Sequence, residues 1–359
     1  MLSDPIVPDP LPDPVVHVPA AEVPIPPDLS ARYARSREGR AWLGSLPCML
    51  QDRLKRWRLD VDLPPGSLPW SGHGGLVLPV RREDGSAAAL KIAFPHEEAK
   101  VERHALALWD GRGAVSMLAW DTGSCSMLLE RLDAGRSLAE LKMEDAAQVW
   151  GVLVRQLGLA PDQRPEWQEF SHIAGRAEQW SDDLPADWEQ LGQPFPRWLL
   201  EAALEVCQTR GAVGRRSAHD LLVHTDLHFL NILARPESVA AGETPTPGGF
   251  AAIDPQPMIG EPEFAVAPLL WNRLGDLPGA QPGPGLLRRC HDFSNAAGLD
   301  PDVSRQWGIA REVENALGYA TQGHRGDLAR SLWVASTLAG NTLDGLPHPH
   351  DLPEPGQGG

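Results

Sequence analysis

The hydrophobic period of this chain changes near residue 133. Between residues 72 and 130 the apolar residues come in short alternating runs cut by Gly, Asp and Pro, the pattern of strands and tight turns. Beyond that point they recur at helical spacing. Strands first and helices afterwards predict an α+β fold of two lobes: a β-rich N-lobe over residues 29–132 and a larger α-helical C-lobe over residues 133–346. With 359 residues the chain is long enough to bury a core in each.

The two ends fall outside this pattern. Residues 1–28 hold nine prolines and five acidic residues without a basic one, and residues 347–359 are again rich in Pro and Gly. Such segments bury too little surface to offset their ordering, so both predict extended, flexible tails. A helical pattern covers residues 29–57, with a break expected at Pro47. Ser71-Gly72-His73-Gly74-Gly75 is a glycine-rich turn between strands, residues 76–80 and 87–93 form a hairpin, and residues 96–109 form a helix. Strands are expected at 114–120 and 125–130, and helices at 137–141, 145–159, 168–182, 196–210, 263–273, 285–297, 304–322 and 328–339. Between the fourth and fifth of these helices, residues 231–234 and 250–254 predict a hairpin whose tip is the Pro/Gly/Thr-rich segment 235–249.

Charge and cysteine content narrow the class. A formal net charge of −16 argues against nonspecific nucleic-acid binding, which rests on cation–phosphate contacts, and suits a cationic small-molecule partner. There is no uncharged apolar run of about eighteen residues such as a membrane span requires. No Lys or Arg precedes Arg32 and no apolar stretch follows one, so a secretory leader is not expected. Cys48, Cys125, Cys207 and Cys290 are scattered without ligand spacing, which points to a reducing cytoplasm rather than disulfides or zinc. Oligomeric state is not legible.

The chemistry concentrates in four features. In His224-Thr225-Asp226-Leu227-His228-Phe229-Leu230-Asn231 an Asp and an Asn stand five apart on a turn that runs into a strand. A carboxylate that takes a hydroxyl proton, followed at that spacing by an amide oxygen able to bind Mg2+, suits phosphoryl transfer. The turn containing Gly72, Gly74 and Gly75 lets backbone N–H groups approach phosphate oxygens. Lys91 sits among small and apolar residues on a strand, where an ammonium needs a partner, and Glu98 or Glu102 on the following helix could supply it. Asp254 ends a strand in Ile253-Asp254-Pro255, placed to hold Mg2+ beside Asn231. Each has a plain structural alternative, as a turn, an edge lysine or a solvated helix face. Their order along the chain is what phosphoryl transfer requires.

That order, with Leu128-Leu129-Glu130-Arg131-Leu132 between the lysine and the catalytic turn, resembles the aminoglycoside phosphotransferase family, which has a protein-kinase-like fold. Leu108-Trp109-Asp110-Gly111-Arg112-Gly113, Ile253-Asp254-Pro255-Gln256-Pro257 and Ala267-Pro268-Leu269-Leu270-Trp271 narrow the resemblance to the streptomycin 6-kinase and hydroxyurea-resistance kinase branch, over roughly residues 30–340. The resemblance implies an ATP- and Mg2+-dependent kinase that phosphorylates a hydroxyl of a small molecule, an aminoglycoside or aminocyclitol such as streptomycin. In it Asp226 is the catalytic base, Asn231 and Asp254 hold Mg2+, and Lys91 binds the α- and β-phosphates. Glu102 positions Lys91, the backbone from Glu130 to Leu132 takes the adenine edge, and His224 braces the loop.

Three positions depart from the family pattern: Thr225 stands where Gly is usual, Glu261 where Asp is usual, and Ala265 where an Asp commonly braces the catalytic loop. Glu263 is the candidate substitute for that brace. Residues 161–190 carry eight acidic residues against Arg164 and Arg176, an expected wall for a cationic acceptor, with Trp167, Trp180 and Trp188 as candidates to stack on a sugar. A kinase of another hydroxylated metabolite, and a nucleotide-binding pseudokinase, stay open as alternatives.

Overall fold

Trp42, Leu46, Leu50 and Leu54 repeat every four residues, so on a helix they form one apolar stripe. In the computed structural model, which describes residues 23–72, 74–211, 219–236 and 247–355, all four are buried. They lie on the second of two helices, α1 (Pro27–Tyr33) and α2 (Arg37–Trp57). The break expected at Pro47 does not occur. Pro47 lies on the exposed face of the helix. Burying a leucine contributes about 1.5–3 kcal/mol, and the three on the stripe together exceed the ~3 kcal/mol that an interior proline costs. The chain turns instead just before Ser36, whose hydroxyl caps α2 by accepting from the Gly39 amide at 2.9 Å.

The stripe packs on an antiparallel sheet built from β1 (Leu59–Val61), β2 (Trp70–Ser71), β3 (Gly75–Arg82) and β4 (Ala87–Ala93), followed by α3 (Glu97–Trp109), β5 (Met117–Asp121) and β6 (Ser126–Glu130). The spatial order is β1-β3-β4-β6-β5, with β2 also on β3. Alternation along β3 and β4 sends Leu76, Leu78, Val80, Leu90 and Ile92 into the same core as the α2 stripe. Val23 belongs to that core too, so the last residues of the expected N-terminal tail are packed; residues 1–22 lie outside the described residues.

Contact density divides the chain into one unit of Met1–Ala99 with Leu118–Arg131 and a second of Lys100–Met117 with Leu132–Gly359. The second unit begins its later part with β7 (Asp133–Ser137), a strand at the break that precedes the first helix expected at 137–141, followed by α4 (Met143–Leu157), α5 (Ile173–Gln190) and α6 (Arg197–Arg210). Then come β8 (Leu221–His224), β9 (Ile232–Ala234), β10 (Phe250–Ala252) and β11 (Pro257–Gly260). β9 and β10 form the expected antiparallel hairpin, to which β7 adds a third strand; β8 pairs with β11. Four helices complete the unit: α7 (Ala267–Trp271), α8 (Pro282–Ala297), α9 (Pro301–Gln322) and α10 (Arg325–Leu338). The long α9 starts sharply because the Asp300 carboxylate accepts from the amides of Asp302 and Val303 and Pro301 fills the first turn. It ends at Gly323, whose φ of 76° is left-handed. Trp307, Ala310, Val313 and Leu317 bury its inner face.

The expected C-terminal tail is also partly packed. His350 Nε2 lies 2.7 Å from the Leu277 carbonyl, Arg330 donates to the Pro353 carbonyl, and Leu352 is buried; residues 356–359 lie outside the described residues. Among the described residues no helix is long and apolar enough to cross a membrane.

Where β3 and β4 meet, a Cβ on Gly75 would lie 2.4 Å from the Ile92 carbonyl oxygen and 2.8 Å from Ala93 Cα. Gly44, within α2, has nothing within 4 Å. Gly75→Ala should therefore cost about 1–3 kcal/mol in urea denaturation, while Gly44→Ala should gain up to about 1 kcal/mol. Equal effects of the two would contradict the packing described.

Candidate active site

β8 ends at His224, which pairs with Pro257 of β11, and this register fixes where the following turn leaves the sheet. The turn is stitched to the start of β11 by Thr225, whose amide and hydroxyl both donate to the Gln256 carbonyl, at 3.0 and 2.8 Å. Threonine in place of the family's usual glycine thus adds an anchor. On the opposite flank Trp150 of α4 donates its indole N–H to the Leu227 carbonyl at 3.1 Å.

His224 is 2% exposed and its ring lies nearly parallel to that of Trp109, with centroids 6.3 Å apart. Its Nδ1 accepts from the Asp226 amide at 3.2 Å, so the proton is on Nε2, which donates to the Ile253 carbonyl at 3.0 Å. Burial pushes its pKa down to about 4, and a neutral ring is what this donor–acceptor pair requires. His224 thereby ties the turn to the strand exit that carries Asp254.

Asp226 and Asn231 face each other across the turn. The Asn231 amide donates to the Asp226 carbonyl at 3.0 Å and to its Oδ2 at 3.3 Å, which reserves the Asn231 Oδ1 for another partner. The Asn231 carbonyl in turn accepts from Ile253 N at 2.9 Å, so Asn231 and Asp254 emerge side by side from neighbouring strands. Asp254 has φ 51°, a left-handed conformation that Asp tolerates better than most residues at a cost of about 1 kcal/mol or more. An amide oxygen and one carboxylate suit a hard cation that keeps its remaining positions for water and phosphate, as Mg2+ does. No cluster of three or more metal-binding His, Cys, Asp or Glu occurs among the described residues.

The Leu108–Gly113 segment belongs to the same assembly. The Trp109 indole donates to the Leu157 carbonyl at 2.8 Å, the Arg235 guanidinium holds the Gly111 and Ala114 carbonyls at 3.1 Å each, and Ala252 N donates to the Gly113 carbonyl at 2.8 Å. The C-terminal end of α3, the helix carrying Glu102, is thus fastened to the hairpin that carries Asn231 and Asp254. Glu102 is 4% exposed. The side chain of Glu98, the other possible partner, lies outside the described residues.

In the first unit Lys91 is 6% exposed on β4, a central strand in register with Val77 and Met127 rather than an edge. Gly72 closes the glycine turn through its amide to the Gly75 carbonyl at 3.2 Å, and its own carbonyl accepts from Arg32 at 2.6 Å. Gly74 accepts from Phe94 N at 2.8 Å. His73 lies outside the described residues. Glu130 ends β6 opposite Ala88, and Arg131, paired with Asp62 at 2.6 Å, and Leu132 link β6 to β7.

The departures resolve individually. Glu261 reaches further than Asp would and accepts from Arg210 at 3.2 Å and Trp307 at 2.8 Å. Glu263, the candidate substitute brace, instead accepts from the Asp300 amide at 3.3 Å, and burial raises its pKa. Ala265 is 2% exposed among apolar neighbours. The residue that sequence reasoning missed is Arg311 of α9, whose Nη2 lies 3.7 Å from Asp226 Oδ1 and which donates to the Thr225 carbonyl. The available signal was its position one helical turn after buried Trp307, where a cation needs an acceptor.

Residues 161–190 divide into two roles. Trp167, Trp180 and Trp188 are all buried: Trp167 donates to Asp162, Trp180 stacks on Phe264 and Trp188 donates to the Phe195 carbonyl, so core packing occupies the surfaces expected to stack on a sugar. Glu178 and Asp182, one turn apart on α5, line an open groove of about 500 Å³ together with Arg176, Gln179, His172 and Met258. Met258 pairs with Val223, immediately before His224, so the groove borders the strands that lead into the catalytic turn.

The sequence model of the aminoglycoside/hydroxyurea antibiotic resistance kinases matches residues 56–323. Streptomycin 6-kinase of Streptomyces glaucescens is 35% identical over 324 residues, spanning 89% of this chain and 98% of the relative. Hydroxyurea phosphotransferase of Kitasatospora aureofaciens is 34% identical over 336 residues, spanning 91% and 87%. Among solved structures, an amicoumacin kinase in complex with AMP-PNP and Ca2+ superimposes with a TM-score of 0.53 at 14% identity, over 87% of this chain and 98% of that one. Aminoglycoside phosphotransferase APH(4)-Ia, in a ternary complex with ADP and hygromycin B, gives 0.51 at 14% identity, over 81% and 96%. These likenesses establish the protein-kinase-like α+β fold.

Neutral His224 makes stability pH-dependent. Above its ordinary pKa of 6.5 neither state takes the proton; as the pH falls towards 4 the unfolded chain binds one that the folded ring refuses, and stability is lost. In His224→Gln this component, about 3 kcal/mol, should vanish from the pH dependence of denaturant unfolding over that window. An unchanged slope would contradict the assignment.

Proposed function

Because this chain belongs to the aminoglycoside/hydroxyurea antibiotic resistance kinase family, we propose that it transfers the γ-phosphoryl group of ATP to a hydroxyl of a cationic aminocyclitol such as streptomycin. It is a phosphotransferase of small molecules. The observation that carries it is the joining of Asp226, Asn231 and Asp254 through the Asn231 amide and the Asn231–Ile253 backbone bond.

In this reading Asp226 accepts the proton of the acceptor hydroxyl as its oxygen attacks phosphorus, and the bond to the ADP oxygen breaks. The Asn231 side-chain amide, donating to Asp226 Oδ2, keeps that carboxylate aimed. Asn231 Oδ1 and Asp254 would hold Mg2+, which neutralises charge on the β- and γ-phosphates. Lys91 carries the buried ammonium for the α- and β-phosphates, Glu102 is its positioning carboxylate, and the amides around Gly72, Gly74 and Gly75 offer donors to phosphate oxygens. The backbone of Glu130 and Leu132 takes the adenine edge. His224 stays neutral and fixes the turn.

The groove bearing Glu178 and Asp182 supports a cationic acceptor, since two carboxylates beside one Arg leave a negative lining. The test is turnover of ATP against streptomycin and a panel of neutral hydroxylated compounds. Streptomycin should be phosphorylated, and Glu178→Gln with Asp182→Asn should raise its KM roughly tenfold with kcat little changed. Turnover of neutral acceptors alone would overturn the acceptor assignment, and nucleotide binding without turnover on any acceptor would indicate a pseudokinase.

A further inference from the structure

Position 265 is alanine and Glu263 is engaged at Asp300, so neither supplies the brace expected from that segment. We propose that Arg311 is the positioning residue for Asp226, a brace supplied from α9; the inference rests on the phosphotransferase reading above. Its guanidinium donates through Nη1 to the Thr225 carbonyl and lies with Nη2 3.7 Å from Asp226 Oδ1. The opposite carboxylate oxygen, Oδ2, accepts from Asn231 at 3.3 Å. Asp226 is therefore hydrogen-bonded at Oδ2 and flanked by a guanidinium at Oδ1, an arrangement that favours one rotamer of its carboxylate.

The brace is itself rigidly mounted. The guanidinium lies over the ring of Phe264, 5.3 Å from its centroid, and Phe264 is the residue before Ala265. Phe264 is packed in turn by Trp180, with centroids 6.2 Å apart, and edge-on by Trp307 at 5.2 Å. The segment that lacks a polar brace at position 265 thus supplies the aromatic face on which the substitute rests. The Arg311 side chain is 16% exposed, so its charge acts on the turn with limited screening. A planar fork can donate to the backbone carbonyl with one nitrogen and set the other beside the carboxylate; a lysine ammonium is a single point that serves one of them well.

A catalytic carboxylate fixed in one rotamer presents its proton-accepting lone pair to the acceptor hydroxyl in every complex, whereas a rotating one does so in a fraction of them. Loss of the brace acts on kcat and spares nucleotide affinity.

Arg311→Met and Arg311→Lys, each checked for folding by thermal unfolding, should be compared for kcat, KM for ATP and hydrogen–deuterium exchange of residues 224–231. Arg311→Met should lower kcat about 100-fold with KM for ATP within about threefold, and Arg311→Lys should recover part of the loss, to within about tenfold of the parent. Exchange in the turn should quicken in Arg311→Met while α10 is unchanged. A folded Arg311→Met with parent kcat, or a loss confined to KM with unaltered exchange, would overturn the proposal. If Arg311→Met does not fold, Arg311→Lys decides: parent kcat overturns the brace, and a reduced kcat at parent KM upholds it. If the parent phosphorylates no acceptor, the functional reading fails, and exchange alone judges the brace: faster exchange upholds it and unchanged exchange overturns it.

Discussion

The site depends on one neutral imidazole. His224 spends both ring nitrogens on backbone, one on the amide of Asp226 and one on the carbonyl of Ile253, and so joins the Asp226 turn to the strand that ends in Asp254. Protonation would turn the acceptor nitrogen into a donor facing another donor, and burial opposes it. The ring is in turn sandwiched into the core by Trp109, which places the end of α3 in the same rigid assembly.

From that joint the remaining geometry follows. Thr225 fastens the near side of the turn to Gln256, Trp150 the far side at Leu227, and the Asn231 side chain closes it across the middle. The tolerance of Asp for a left-handed backbone lets the chain reverse at residue 254 directly after pairing with Asn231. Glu102 gains its position indirectly, because the segment after α3 is pinned to the β9–β10 hairpin by Arg235 and the Gly113–Ala252 bond.

The two-lobe α+β architecture was legible in the sequence, and so was the strand pair that sets Asn231 beside Asp254, because both rest on short-range pattern: period, turn residues and fixed spacing; the roles of Lys91, Asp226, Asn231 and Asp254 are part of the proposed function. What escaped it depends on tertiary packing. Pro47 does not break α2, since the leucine stripe outweighs a solvent-facing proline. β7 was not expected as a strand because Asp133-Ala134-Gly135 has little strand propensity; its pairing with β9 makes it one. Trp180 and Trp188 are core residues because Phe264 and Phe195, outside residues 161–190, pack on them, and Trp167 is buried against Phe170 of its own segment. Arg311 lies 85 residues after Asp226, and no local pattern ties a helix cation to a carboxylate so far away in sequence.

The most direct test of the whole account is formation of phosphorylated streptomycin from ATP by the full chain, followed by mass spectrometry alongside ADP release, in the parent and in Asp226→Asn. The account predicts one phosphorylated product per ADP in the parent, and a rate at least about 100-fold lower in the variant with nucleotide binding retained. Product formation that survived the substitution undiminished would contradict it.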